Sequence, residues 1–177
     1  MDVGGMPELW DMLGAPLNVT LLNLPGAFND IPPHWRGRVV VGDICRNADL
    51  VSGYDLVFSN SVLEHVGSLA RQRAFAAAVA SAPSYWLQVP APEFPLEHHC
   101  KALFWWLRPA ARRRAVIRAW KRAGRTWDAR QMAGTRPIGR DRLRHLLPDG
   151  HIAVERVLGV PKSYYCYRVG AGVQPAG

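Results

Sequence analysis

The sequence predicts an α/β domain, a mostly parallel sheet with helices on both faces and an antiparallel hairpin at the C-terminal end. Three observations lead there. Short, continuously apolar runs recur between residues 18 and 90, a helix-forming segment separates the third from the fourth, and the last two runs share a very short link. Continuous apolarity suits parallel strands covered on both faces. Strand, helix and strand in succession imply right-handed crossovers, whereas a short link restricts its strands to antiparallel pairing.

Residues 8–13 are a short helix candidate ahead of the first of these strands. Residues 18–24 (NVTLLNL) end at Pro25-Gly26, a turn signal. Residues 38–44 (RVVVGDI), 54–59 (YDLVFS) and 84–89 (SYWLQV) are the next strands, the last stopped by Pro90. Residues 68–82 carry a helical stripe of Leu69, Phe75, Val79 and alanines, with Ser68 as N-cap. From residue 91 to 147 the character changes to a Pro-rich lead, an aromatic stretch (LFWWL) and a basic helix over residues 109–123. Pro109 suits its first position and Gly124 its C-terminal cap. Residues 140–147 make a further short helix, ended by Pro148. Residues 151–158 and 163–169 form the hairpin, with residues 159–162 as its link, and the tail from Gly170 to Gly177 is expected to be disordered. The 177 residues therefore make one domain over 1–170, with 91–147 as an insertion or lid.

Composition narrows the function classes. With 49% hydrophobic and 20% charged residues the chain is a globular domain, and no apolar run approaches the roughly 20 residues that span a bilayer. The start, MDVGGMPELWDM, lacks the basic and apolar regions of a signal peptide, so a cytoplasmic location is expected. Cys45, Cys100 and Cys166 are scattered and odd in number, which argues for reduced structural thiols and against a zinc site. The net charge is +8, and residues 101–125 hold nine Lys or Arg and no Asp or Glu. That block, with Trp105, Trp106 and Trp120, is a candidate for peripheral membrane contact; no specific nucleic acid is expected.

In open parallel sheets ligands sit beyond the carboxyl ends of the strands, so the closing residues of each run are the candidates. Asp2-Val3-Gly4-Gly5 offers a turn that lets backbone approach a ligand. Asn23 closes the NVTLLNL run and can bond a hydroxyl; Asp43, in Gly42-Asp43-Ile44, can accept from an amine or act as a turn acid. Ser59-Asn60 ends the YDLVFS run and leads to Glu64-His65, where a histidine can serve as general base.

These phrases in this order resemble the class I S-adenosylmethionine-dependent methyltransferases. The strongest likeness is YDLVFSNSVLEHV (54–66), and YWLQVPAPEFPLEHH (85–99) resembles a phrase of a bacterial, type 11-like branch. The resemblance implies a Rossmann-like fold and S-adenosyl-L-methionine as cofactor. It implies that Asp2, Gly4 and Gly5 shape the methionine side of the pocket, that Asn23 lies near the ribose, and that Asp43 and Ile44 flank the adenine. Ser59 and Asn60 would line the floor beneath the sulfonium, while Glu64, His65, Glu97 and His99 would face the acceptor. His65, Glu97 or His99 would take a proton from the acceptor, and no metal is expected. The chain departs from the family pattern at Met6 and Glu8, which stand for glycines, and at Asn23, which stands for an acid. Met1 takes the place of the apolar residue before the family's Asp, so the chain is expected to begin inside its first strand, as an N-terminally truncated member. The expected reaction is methyl transfer to a small-molecule, envelope or natural-product acceptor; the alternative is a non-catalytic binding protein of the same fold.

Overall fold

The computed structural model describes residues 1–14, 17–97 and 99–170. Its main sheet has seven strands: β1 (Asp2–Val3), β2 (Leu21–Asn23), β3 (Val39–Val41), β4 (Leu56–Asn60), β5 (Ser84–Pro90), β8 (His151–Val157) and β9 (Val160–Arg168). They lie in the order β3-β2-β1-β4-β5-β9-β8. The first five are parallel, and β9 alone runs against them, pairing antiparallel with β5 on one side and β8 on the other. The order reverses between β1 and β4, which places a crevice at the carboxyl ends of β1, β2 and β4.

The α/β expectation therefore holds, with shorter strands at the N-terminal end. The run at 18–24 contributes only three paired residues to β2, because its register is limited by the two of β1: Asp2 opposite Leu21 and Val3 opposite Leu22. Alternation in β2 divides the core. Leu21 faces a cluster with Val19, Trp35 and Trp10, whereas Leu22 joins the main core with Phe75, Val79 and Leu87. Trp10 belongs to α1 (Pro7–Leu13), and Phe75 and Val79 to α2 (Leu69–Ser81), so the two faces are covered by different helices. Ser68 caps α2 through its side chain, which accepts from the Arg71 N–H.

The expected lid segment, residues 91–147, contains a two-stranded sheet of β6 (Leu96–Glu97) and β7 (Ala102–Leu103), then α3 (Ala110–Arg122), α4 (Thr126–Gly134) and α5 (Arg140–Leu146). Three expectations need correction here. Pro109 is the N-cap of α3 and not its first helical residue, since its ψ of 144° is extended. Gly124 does follow the helix with a φ of 76° and bonds back to the Lys121 carbonyl. The hairpin link is Leu158-Gly159 and not the four residues 159–162: Gly159 at φ 80° turns the chain tightly enough for Val160 to pair with Val157 at once. Helix α4 was not expected, because only Ala129 and Met132 of its nine residues are buried and they give no visible stripe. The tail at 171–177 lies outside the described residues.

Leu87 sits in β5 with 0% exposure, inside the main core. Leu87→Ala is expected to lower stability by about 2–5 kcal/mol through lost burial and the cavity left behind. A urea titration read by circular dichroism checks this as a lower midpoint with an unchanged slope.

Candidate functional site

The crevice is a cleft of about 450 Å³ whose wall follows the strand ends. Gly4 lies just beyond β1 at φ 81°, and a Cβ there would fall 2.4 Å from Val62 Cγ2, so only glycine fits. Asn23 closes β2; Gly42, Asp43 and Ile44 follow β3; Ser61 and Val62 follow β4. Ser61 holds φ 55°, unusual for a residue with a side chain, and its hydroxyl donates to Gln88 Oε1 at 2.8 Å. Phe75, Arg71 and His65 complete the inner wall, and Gln131 of α4 closes it from the lid side.

Of the expected cofactor residues, Gly4, Asn23, Asp43 and Ile44 line this cleft and four do not. Asp2 is 2% exposed and turned beneath the loop, where Oδ2 accepts the Trp10 indole N–H at 2.8 Å. Burial pushes its carboxyl up to about 6. Gly5 fits over it, since a Cβ there would meet Asp2 Oδ2 at 1.9 Å. Ser59 is 1% exposed and donates to the Val3 carbonyl at 3.1 Å, stitching β4 to β1 without facing the cleft. Asn60 lines a neighbouring cleft instead, because alternation along β4 turns it away from Ser59.

The polar groups that do line the cleft are partly engaged. Asn23 donates to the Gly5 carbonyl at 3.3 Å and accepts the Leu24 N–H at 2.9 Å, so it also ties the glycine turn to β2. Asp43 accepts two hydrogen bonds from Arg71 Nη2, at 3.0 and 2.9 Å, and one from the Cys45 N–H at 3.0 Å. Burial alone would raise its carboxyl, but these bonds and the Arg71 and Arg46 charges outweigh it and hold it below the usual range.

The neighbouring cleft, of about 370 Å³, is lined by Asn60, Trp86, His99, Lys162 and Tyr165 among others, and it shares Ser61 with the first. Between the two clefts stands a pair of imidazoles: His65 lines the first, His99 lines the second, and their Nε2 atoms are 3.1 Å apart. The pair belongs to a longer chain. Glu97 Oε1 accepts from His99 Nδ1 at 2.7 Å, and its Oε2 accepts the Trp106 indole N–H at 2.7 Å. At the other end His65 Nδ1 meets Thr135 Oγ1 at 3.0 Å, and that hydroxyl reaches the Gln131 carbonyl at 2.8 Å. The Glu97 hydrogen bond holds the His99 pKa above its usual value, whereas burial, reinforced by the His99 charge, pushes His65 down to about 4. A charged His99 beside a neutral His65 satisfies every member of the chain: His99 donates to His65, His65 to Thr135, and Thr135 to Gln131.

Two acids expected to face the acceptor are buried. Glu97 is 8% exposed, with both oxygens taken up by His99 and Trp106, so it orients His99. Glu64 is 3% exposed, its oxygens have no hydrogen-bond partner, and Oε1 stands 3.7 Å from His65 Nε2. Arg71, Gln131, Thr135 and Trp106 carry the site as much as the expected residues do. The bond from Arg71 to Asp43 crosses 28 residues of sequence, beyond the reach of any local pattern. Among the described residues no group of three or more His, Cys, Asp or Glu side chains is placed to hold a metal ion. No helix among them is long and apolar enough to cross a membrane.

Burial pushes the Glu64 carboxyl up to about 7. Folding therefore favours its protonated form, a contribution fully present below the unfolded pKa of about 4.5 and lost as pH rises through 7. Glu64→Gln is expected to match the parent at pH 4 and to exceed it in stability at pH 8, by on the order of 3 kcal/mol. Urea titrations of both proteins across that range measure the divergence; parallel curves would remove the buried, protonated carboxyl.

No family model and no curated protein matches the chain. Solved structures do. One is titled a putative Zn-dependent alcohol dehydrogenase from Rhodobacter sphaeroides, with a TM-score of 0.60 and 10% identity, over 97% of this chain and 83% of that one. An O-methyltransferase family protein from Burkholderia thailandensis has a TM-score of 0.55 and 13% identity, over 96% and 50%. NcsB1, an O-methyltransferase of neocarzinostatin biosynthesis solved with S-adenosylmethionine and 2-hydroxy-5-methyl naphthoic acid, has a TM-score of 0.51 and 18% identity, over 96% and 47%. The chain spans about half the length of these two methyltransferases. The chain shares the fold of these solved structures.

Proposed function

We propose that the chain transfers a methyl group from S-adenosyl-L-methionine to a small-molecule acceptor. The observation that carries this reading is the histidine pair, one ring in each of two adjoining clefts. The larger-walled cleft at the strand ends suits the cofactor. Its glycine turn at Gly4 leaves room for close backbone approach, and Asn23, Asp43 and Ile44 would hold the nucleoside side. When bound, the cofactor supplies an electrophilic methyl group on a sulfonium sulfur. The NcsB1 structure, which holds S-adenosylmethionine in the same fold, supports the assignment.

The neighbouring cleft suits the acceptor. Trp86 and Tyr165, packed on each other at 5.2 Å, give it an aromatic wall, and Lys162, paired with Glu155 at 2.7 Å, places charge at its edge. Positioning the acceptor in line with the methyl group supplies much of the rate. An O–H or N–H acceptor must also lose a proton, and the His65–His99 pair can receive it. With the pair neutral, His65 Nε2–H donates to His99 Nε2 and the Thr135 hydroxyl donates to His65 Nδ1. With one proton more, each donor turns the other way and the hydroxyl returns to the Gln131 carbonyl. The chain accepts a proton without setting donor against donor, and Glu97 stabilises the charged form. A non-catalytic binding protein is the second reading, favoured by the closure of Asp43 upon Arg71, which occupies the carboxylate expected to meet the adenine.

Calorimetric titration with S-adenosylmethionine separates the two. The parent is expected to bind and Gly4→Ala to lose binding, because its Cβ would collide with Val62; absence of heat with the parent sinks the methyltransferase reading. With an acceptor in hand, His99→Ala is expected to reduce turnover by about 10²–10⁴-fold. Glu97→Gln removes what holds the His99 pKa up, so the rising limb of its pH–kcat/KM profile is expected to move to lower pH. A limb that stays in place would reduce Glu97 to a structural role.

A further inference from the structure

Helices α3, α4 and α5 border a third cavity, of about 780 Å³, on the far side of the Thr135–His65 contact. Its charged lining is of one sign. Arg113, Arg114 and Arg118 come from α3, Arg136 from the α4–α5 connection and Arg142 from α5, and no acidic side chain lines it. Among the described residues none of these five arginines forms an ion pair. Arg114 and Arg118 are one turn apart on α3, a spacing at which like charges repel.

A second observation is independent of charge. Nε and Nη2 of Arg142 and Nε1 of Trp105 are shut off from solvent and have no hydrogen-bond partner. Trp105 is 1% exposed and forms part of the cavity wall, stacked on Trp120 at 5.3 Å. Buried donors in folded proteins are nearly always paired, and Trp105 and Arg142 both line the cavity, so a small turn of either side chain would bring its unpaired donor to an acceptor oxygen there. Guanidinium forks match the oxygens of phosphate. Trp106, Ile117 and Met132 supply an apolar wall beside them, which suits an organic body carrying the anion.

The geometry points to a phosphate-binding site in the open groove bordered by α3, α4 and α5, which takes a phosphomonoester with an apolar body and is separate from the cleft at the strand ends. The ester is either a free metabolite or the headgroup of a lipid. Calorimetry of the full chain with phenyl phosphate tests the first source, and sedimentation with phosphatidylcholine vesicles, with and without phosphatidic acid, tests the second. Arg114 and Arg118 are exposed, so R114Q/R118Q leaves the fold intact; it is expected to weaken binding by about tenfold or more. R112Q/R122Q removes equal charge from exposed positions of α3 outside the cavity and is expected to bind as the parent does. The Trp105 indole N–H resonance is expected to shift on binding. Cavity-dependent binding of phenyl phosphate assigns a free ester; cavity-dependent binding of phosphatidic acid vesicles alone assigns a lipid headgroup. Failure of the parent to bind either probe, or equal losses in the two double variants, overturns the site. Titration of the same variants with S-adenosylmethionine keeps this outcome distinct from that of the strand-end cleft.

Discussion

The hydrogen bonds that hold β1 between its two neighbours determine where everything else at the site can lie. Asp2 N–H and Gly4 N–H donate to the Thr20 and Leu22 carbonyls on one side; on the other, the Met1 carbonyl accepts from Phe58 N–H and the Met1 amino group donates to the Leu56 carbonyl. Parallel strands cannot slip by one residue without turning their buried side chains to the wrong face. With Val3 and Leu22 in the main core and Leu21 on the opposite face, the register is set. Gly4, Asn23 and Ser61 then emerge together at one edge, and the cleft is the space between them.

Polar interior groups around that edge do structural work first. Asp2 supports the turn from below, Ser59 stitches two strands, and Asp43 anchors Arg71 of α2 to the segment after β3. Asp2 and Ser59 each satisfy a buried donor or acceptor that would otherwise cost about 1–3 kcal/mol, while the partly exposed Asp43–Arg71 pair mainly fixes the position of both side chains. The histidine chain differs in kind. It runs from Trp106 through Glu97, His99, His65 and Thr135 to Gln131, from one part of the lid to another across the wall between two clefts. The segment 91–147 and the sheet are thereby joined across the wall between the two clefts.

Much of this was legible in the sequence. YDLVFSN and SYWLQV are continuous apolar runs, and both became strands of the sheet because burial on two faces needs such runs. The closing residues of the earlier runs, Gly4, Asn23, Asp43 and Ile44, also line the cleft, as a position at the carboxyl ends of parallel strands leads one to expect. What stayed hidden depends on contacts distant in sequence. Nothing local to Glu97 says that Trp106 will fill its second oxygen. Gln131 sits on α4 and Thr135 caps its C-terminal end, and the two buried residues of that helix leave no periodic stripe to read. Strand pairing turned Asn60 out of the cleft and Ser59 into the interior, an outcome of the pleat that the dipeptide alone does not disclose.

The lid has a hydrophobic cluster of its own. Cys100, Trp105 and Met132, with Val116, Ile117 and Trp120 packed on them, share no member with the main core. Stability is apportioned by such clusters, and segments with separate cores open as separate blocks. That cluster holds α3 and α4, whereas Ile138, Leu143 and Leu147 tie α5 and its lead to the main core. Local opening of α3 and α4 can therefore leave the sheet folded, and its frequency is set by the tryptophan packing around Trp105.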